Sequence, residues 1–182
     1  MEIKFSPGEK LILLMLCELY EHLKVNGQTD IKLIQQAIYS GDLWALDWEM
    51  TGVFHDYERP LPVVRETVDI LLMWERLEQS FADLKPAQTE WLAKNVEPFS
   101  GKAHFPGFDG NNETDYVGAA RFLVNQLGRF SYFKGRDFDA HHPTLDGHRR
   151  MWKVFDPILH QVANHNLDEK QIAEVLKVWW QK

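Results

Sequence analysis

A single cysteine, Cys17, stands in the 182 residues, so no internal disulfide staples this chain. No apolar run exceeds the seven residues from Leu11 to Cys17, which excludes a helical membrane span. The opening Met1-Glu2-Ile3-Lys4-Phe5 lacks the basic stretch and apolar core of a secretion signal, so a cytoplasmic protein is expected. Positive charge is scarce as well. Against 27 Asp and Glu there are 20 Lys and Arg, and the net charge of −7 opposes bulk attraction to nucleic acid or anionic lipid. No GxSxG, P-loop, HExxH or paired CxxC occurs, and no alternating strand pattern or internal repeat. A hydrophobic share of 45% with 26% charged residues excludes a disordered or collagen-like chain.

What is present is helical punctuation. Ser6-Pro7-Gly8-Glu9 reads as a capping box with proline at the first helical position. The helix it opens is predicted to run to about Val25 and stop at Asn26-Gly27. Its apolar residues, Leu11 to Leu16, Cys17 and Leu19, cover most of the circumference, which points to burial inside the fold or against a second subunit. Thr29 or Asp30 caps a second helix closed by Ser40-Gly41. Asp42 caps a short third with Trp44 and Trp48 four apart.

The clearest element is predicted over 61–84, where Val63, Thr67, Ile70, Trp74, Leu77, Phe81 and Leu84 form a heptad seam about 33 Å long. Lys85-Pro86 ends it, and Ala87 to Asn95 forms a short helix with Trp91 and Leu92. From Val96 to Gly110 the apolar period fails, and a loop of that length in a small domain is characteristically functional or disordered. Further helices are predicted over 113–127, where Gly118-Ala119-Ala120 allows close backbone approach, and over 146–163, where Pro157 predicts a kink or break near residue 156. Asn166-Leu167-Asp168-Glu169 caps a terminal helix carrying Ile172, Val175, Leu176 and Trp179. The reading is all-α: one domain over 1–182, a bundle around the long central helix with irregular segments at 96–110 and 131–143.

Chemistry concentrates at Phe108-Asp109-Gly110-Asn111-Asn112-Glu113. Asp109, Asn111 and Glu113 alternate as calcium-loop ligands do, yet the twelfth position from Asp109 is Ala120 and not the glutamate an EF-hand needs. The plainer reading is an Asx-turn of Asp109 over Gly110 with Asn111 or Asn112 capping the next helix. Asp137, Asp139, His141, His142 and Asp146 lie close in sequence but match no metal-ligand spacing, and His55, His104 and His148 fall in loops or near helix starts, so no metal or cofactor is assigned. Residues 121–153 carry seven basic and three acidic residues, a local +4. These charges read as a solvated face that pairs with acidic helices, and nucleic-acid binding is disfavoured. Trp44, Trp48, Trp74, Trp91 and Trp152 fit core faces. Trp180, beside Trp179, cannot share its stripe and suggests contact with a second subunit.

Phe105-Pro106-Gly107-Phe108-Asp109-Gly110-Asn111-Asn112-Glu113, followed by Tyr116, Gly118, Arg121-Phe122-Leu123-Val124, Gly128-Arg129-Phe130, His141-His142-Pro143-Thr144-Leu145 and Arg149-Arg150-Met151, resembles the YfbU family. The resemblance covers most of the chain and is most specific over 105–156. It departs at Asp139-Ala140, where an Asn-Ser pair is usual, and at His148, where an aromatic is usual. It implies a helical, self-associating domain with no established reaction. The combined expectation is a homo-oligomeric interaction or regulatory module in which Asp109, Asn111, Asn112 and Glu113 form a structural elbow. Arg121 and His141 would then hold the two irregular segments together. The alternative is a ligand- or metal-binding enzyme with a polar pocket around Asp109, Glu113, Arg121 and His141.

Overall fold

Backbone hydrogen bonding organises the chain into helices, as its spacing demands. The computed structural model describes residues 4–25, 27, 29–50, 62–96, 102–162 and 166–180. Among them are eight α-helices, two 3-10 turns (Ser131–Phe133 and Val178–Trp180) and no strand, an all-α fold. Met1, Glu2, Ile3, Asn26 and His55, named above, lie outside the described residues. The chain divides into two compact units, Met1–Pro62 and Val63–Lys182.

The first unit holds α1 (Pro7–His22), α2 (Ile31–Ser40) and α3 (Trp44–Glu49), with α1 packed on α2 and α2 on α3. Ser6 and Glu9 form the capping box reciprocally. The helix stops three residues short of the predicted Val25. Lys24 turns left-handed at φ 51°, its N–H donates to the Glu21 carbonyl, and the Val25 N–H donates to that of Tyr20. This is a Schellman closure with lysine where glycine is usual. Asp30 caps α2 through the Leu33 N–H, and Gly41 ends it at φ 80°. Asp42 does not cap α3. Its carboxylate accepts the Trp44 indole N–H at 2.9 Å instead, beside a Trp44–Trp48 ring pair 5.6 Å apart.

In the second unit α4 (Pro62–Ala82) carries the seam. Thr67, Ile70, Trp74 and Leu77 are buried with their neighbours Val64, Leu71 and Met73, while Val63 and Phe81 at the ends are half-buried. Then follow α5 (Pro86–Asn95), α6 (Thr114–Asn125), α7 (Leu145–Val162) and α8 (Glu169–Lys177). α8 packs on α5 and α7, and the Val178–Trp180 turn folds back on α7. Asp168 closes the capping box of α8 with Gln171.

Two expectations fail here and a third is narrowed, each for a local reason. α7 continues through Pro157 as one helix, so of the kink or break predicted there the break does not occur. Pro157 and Lys153, whose carbonyl loses its donor, are both exposed, so the freed oxygen is on the solvent side of the helix. Among the described residues nothing lies within 4 Å of where a Gly118 Cβ would sit, so no backbone of theirs approaches it, although Ala119 and Ala120 are buried. Trp91 is 37% exposed, because α5 buries only Leu92 of its ten residues.

The described part of the aperiodic segment after α5 runs inward from Phe105 to Asp109. Phe105 and Phe108 are buried, with their rings against Trp74, Phe133, Phe138, Tyr116 and His148 at centroid separations of 5.2–6.3 Å. Phe108 pairs with the second irregular segment through its N–H to the Phe138 carbonyl (2.8 Å) and its carbonyl to the Ala140 N–H (2.7 Å). Gly107 makes that crossing possible. It sits at φ +91°, and a Cβ there would lie 2.5 Å from the Phe138 oxygen.

Candidate functional site

The polar turn is built around Glu113. Asp109 closes an Asx-turn over Gly110, its Oδ1 accepting the Asn111 N–H (2.9 Å) and its Oδ2 the Asn112 amide (2.6 Å). Neither asparagine caps α6. Glu113 occupies the N-cap position, but its carboxylate turns away from its own helix. It accepts the Asp109 N–H (2.8 Å), the Thr144 N–H (2.9 Å), the Leu145 N–H (2.8 Å) and the Thr144 hydroxyl (3.0 Å). Two of these donors are the free N–H groups at the start of α7, where helix geometry leaves them unpartnered and the dipole favours an anion. Glu113 therefore caps α7 across 31 residues of sequence. Burial alone would raise its carboxyl pKa, and the backbone donors outweigh that, so the net direction is down.

Asp139 ties the two irregular segments together. Its Oδ1 accepts the Gly110 N–H (2.9 Å) and the His141 N–H (2.8 Å), which hold its pKa low. A Cβ on Gly110 would collide with this carboxylate at 2.3 Å. The His141 ring lies 3.2 Å from the same group, 77% exposed, with its backbone at φ 57°. Arg121 points elsewhere, to Asp137 at 3.5 Å on the surface. The structure thus brings Asp109, Asn111, Asn112 and Glu113 together, joins His141 through Asp139, and leaves Arg121 apart. The tie runs through Asp139 and Thr144, not through Arg121.

Below the turn, His148 is wholly buried. Its Nδ1 accepts the Trp74 indole N–H at 3.0 Å, and its Nε2–H donates to the Gly107 carbonyl at 3.0 Å, which fixes one neutral tautomer. Its ring also lies 5.0 Å from that of Trp179. Burial pushes its pKa down to about 4, more than Gly107, Glu113 and Glu66 push it up.

Two ion-pair networks flank this core. Arg136 grips the buried Glu78 with two nitrogens at 2.8 Å while stacking over Tyr132 and Phe133, and Glu78 also accepts the Phe105 N–H at 2.7 Å. Glu66 on α4 binds Arg149 on α7 through both oxygens (2.6 and 3.0 Å) and accepts the Tyr116 hydroxyl of α6, so one carboxylate joins three helices. Arg149 holds Glu66 low, while burial and the Glu66 carboxylate push Tyr116 up to about 12. These partners were not identified in the sequence. Glu78 alone left a signal, as a charge beside Leu77 on the buried face of a heptad helix.

Among the described residues no group of three or more His, Cys, Asp or Glu could hold a metal ion, and no helix is long and apolar enough to cross a membrane. A cavity of about 260 Å³ opens between α4 and α7, lined by Glu66, Asp69, Ile70, Arg149, Trp152 and Lys153. None of the six residues singled out in the sequence borders it.

The YfbU domain model matches residues 3–178 of this chain, nearly its full length. The chain belongs to the YfbU family. A curated relative, the UPF0304 protein MJECS11 of Methanocaldococcus jannaschii, is 28% identical over 133 residues, covering 70% of this chain and 74% of its own length. The segment that carries the YfbU resemblance most densely, 105–156, holds the elbow, His148 and Arg149, while their partners Trp74 and Glu66 come from α4.

Proposed function

We propose that this YfbU protein is a homo-oligomeric interaction module of the cytoplasm, self-associating through the outward face of α1, with the polar elbow as an internal brace. The observation that carries this reading is the exposure of α1. Leu11, Ile12, Met15, Leu16, Leu19, Tyr20 and Leu23 are each 40–67% exposed, while Leu13, Leu14 and Cys17 face inward. At 100° per residue these seven cover one continuous half of the helix, with Ile12, Leu16, Leu19 and Leu23 spaced 4-3-4 along its middle.

A patch of seven such side chains, at ~100 Å² each, amounts to roughly 700 Å² per copy and about 1,400 Å² in a symmetric pair. That exceeds the largest apolar patch on a typical monomer and falls within the range of standard interfaces. A second copy of the same face is apolar and self-complementary, as a twofold interface requires. The elbow supports bracing over catalysis because the Glu113 oxygens are filled by four protein donors. The single buried Cys17, whose thiol pKa burial raises, suits a reducing compartment.

Sedimentation velocity and native mass spectrometry at micromolar concentration test the proposal. The wild-type chain is expected at a multiple of 21.4 kDa. The double variant Leu16→Glu, Leu19→Glu is expected as a monomer with an unchanged helical circular-dichroism spectrum. A monomeric wild type, or an oligomer indifferent to the double variant, overturns it.

A further inference from the structure

We propose that the cavity between α4 and α7 is a binding site for a small zwitterion with an apolar side chain, such as a free α-amino acid. The proposal is independent of self-association and concerns residues that the elbow does not involve.

Each helix presents one face to this space: Glu66, Asp69 and Ile70 from α4, and Arg149, Trp152 and Lys153 from α7, both at i, i+3, i+4 spacing. The charges there are not equivalent. Glu66 and Arg149 are spent on each other and on Tyr116. Asp69 and Lys153 form no hydrogen bond or ion pair among the described residues. Between them lie the buried Ile70 and the half-buried indole of Trp152, an apolar floor.

An unclaimed carboxylate and an unclaimed ammonium over an apolar floor are complementary to a ligand with one charge of each sign and a hydrocarbon or aromatic body. Burial, and behind it Asp156 and Glu66, pushes the Asp69 carboxyl pKa up, with only Arg65 opposing. A ligand ammonium beside Asp69 would relieve both effects, and the Trp152 face adds attraction for the same cation. The Lys153 ammonium, exposed on a flexible stem, can reach the ligand carboxylate. The volume, about 260 Å³, is below that of pockets for drug-sized ligands, which excludes a nucleotide and suits a single amino acid.

The test is isothermal titration of the full chain with L-phenylalanine and L-leucine, followed in parallel by tryptophan fluorescence. Phenethylamine and 3-phenylpropanoate serve as probes that each lack one charge. The expected result is saturable binding of the amino acids with perturbed tryptophan emission, and at least tenfold weaker binding of either single-charge probe. Asp69→Asn and Lys153→Gln, both partly or fully exposed, should each weaken amino-acid binding about tenfold with no change in the circular-dichroism spectrum. Asp69→Asn should also abolish the advantage over 3-phenylpropanoate, and Lys153→Gln that over phenethylamine. No binding at millimolar amino acid overturns the proposal. So does a single-charge probe binding as tightly as the zwitterion, or binding unaffected by both substitutions.

Discussion

Acid should destabilise the second unit through His148 before its lowered carboxylates, Glu66 and Glu113, titrate. In the folded chain both ring nitrogens are committed. Nδ1 accepts from Trp74, so a proton added there would face an indole N–H with nothing to accept it, inside a cage of Trp74, Phe105, Phe108 and Trp179. The folded pKa is accordingly about 4, against 6.5 for an ordinary histidine. Between those values the unfolded chain takes up a proton that the folded chain refuses, so stability falls as pH falls, starting near 6.5 and ending near 4. At ~1.4 kcal/mol per pH unit the whole window is worth about 3 kcal/mol, of which about 2 is lost by pH 5. Glu66 and Glu113, held below their ordinary values, lose their contribution only at lower pH, and the raised Asp69 and Glu75 act in the opposite sense. Comparison with His148→Gln, which keeps a donor and an acceptor but does not titrate, removes these shared backgrounds. Urea unfolding followed by tryptophan fluorescence should show the wild type losing about 2 kcal/mol more than the variant between pH 7.5 and 5. Parallel pH profiles for the two proteins would refute the assignment of a neutral, doubly bonded His148.

Other substitutions probe the brace and the close contacts. Glu113→Ala strands three backbone donors and should cost about 3–5 kcal/mol in chemical denaturation, whereas Glu113→Gln, which keeps one acceptor oxygen, should cost about 2. Gly107→Ala combines a left-handed backbone with a 2.5 Å clash against the Phe138 carbonyl, and soluble expression is expected to fail or the unfolding midpoint to fall by ten degrees or more. Gly147→Ala places a Cβ 2.8 Å from the Trp179 ring, which can shift. A loss of about 1–2 kcal/mol is expected, with a red shift in tryptophan emission as the indole moves outward.

Where a signal in this chain is local, the structure repeats it. Ser6 and Glu9, Asp30 and Leu33, and Asp168 and Gln171 are caps closed within three residues, and the α4 seam needs only the helical period to reveal its buried face. Reading failed where two local options competed for one group. Asp42 had a helix start to cap and an indole two residues on, and the indole N–H, part-buried, took the carboxylate. Pro157 breaks a helix only if the orphaned carbonyl has no other partner, and exposure on the α7 surface puts that oxygen on the solvent side. The inward course from Phe105 to Asp109 left no periodic trace. Phe105 and Phe108 are three apart on an irregular backbone, and their burial depends on aromatic partners from four other parts of the chain.

The elbow shows the same division between local chemistry and distant partners. The Asx-turn at Asp109 is written in six consecutive residues, but nothing adjacent to Glu113 indicates that its carboxylate serves α7 and not α6. The choice follows from donor supply. At the start of α6 the Glu113 backbone already adopts the cap position, and its carbonyl accepts the Tyr116 and Val117 N–H groups. At the start of α7 no acidic cap precedes Leu145, since the residues before it are Pro143 and Thr144, and the one Thr144 hydroxyl proton is shared between the Gly107 carbonyl (2.9 Å) and the Glu113 carboxylate (3.0 Å). The N-terminus of α7 is therefore the site with unmet N–H groups and a favourable dipole, and the nearest buried anion in space occupies it. The same contact fixes Gly107 over His148, so the cap, the loop crossing and the neutral histidine form one coupled unit. Their deletions should be non-additive. In a double-mutant cycle, Thr144→Val and His148→Gln are expected to couple by about 1 kcal/mol or more through the shared Gly107 carbonyl, and additivity would show that the two bonds act independently.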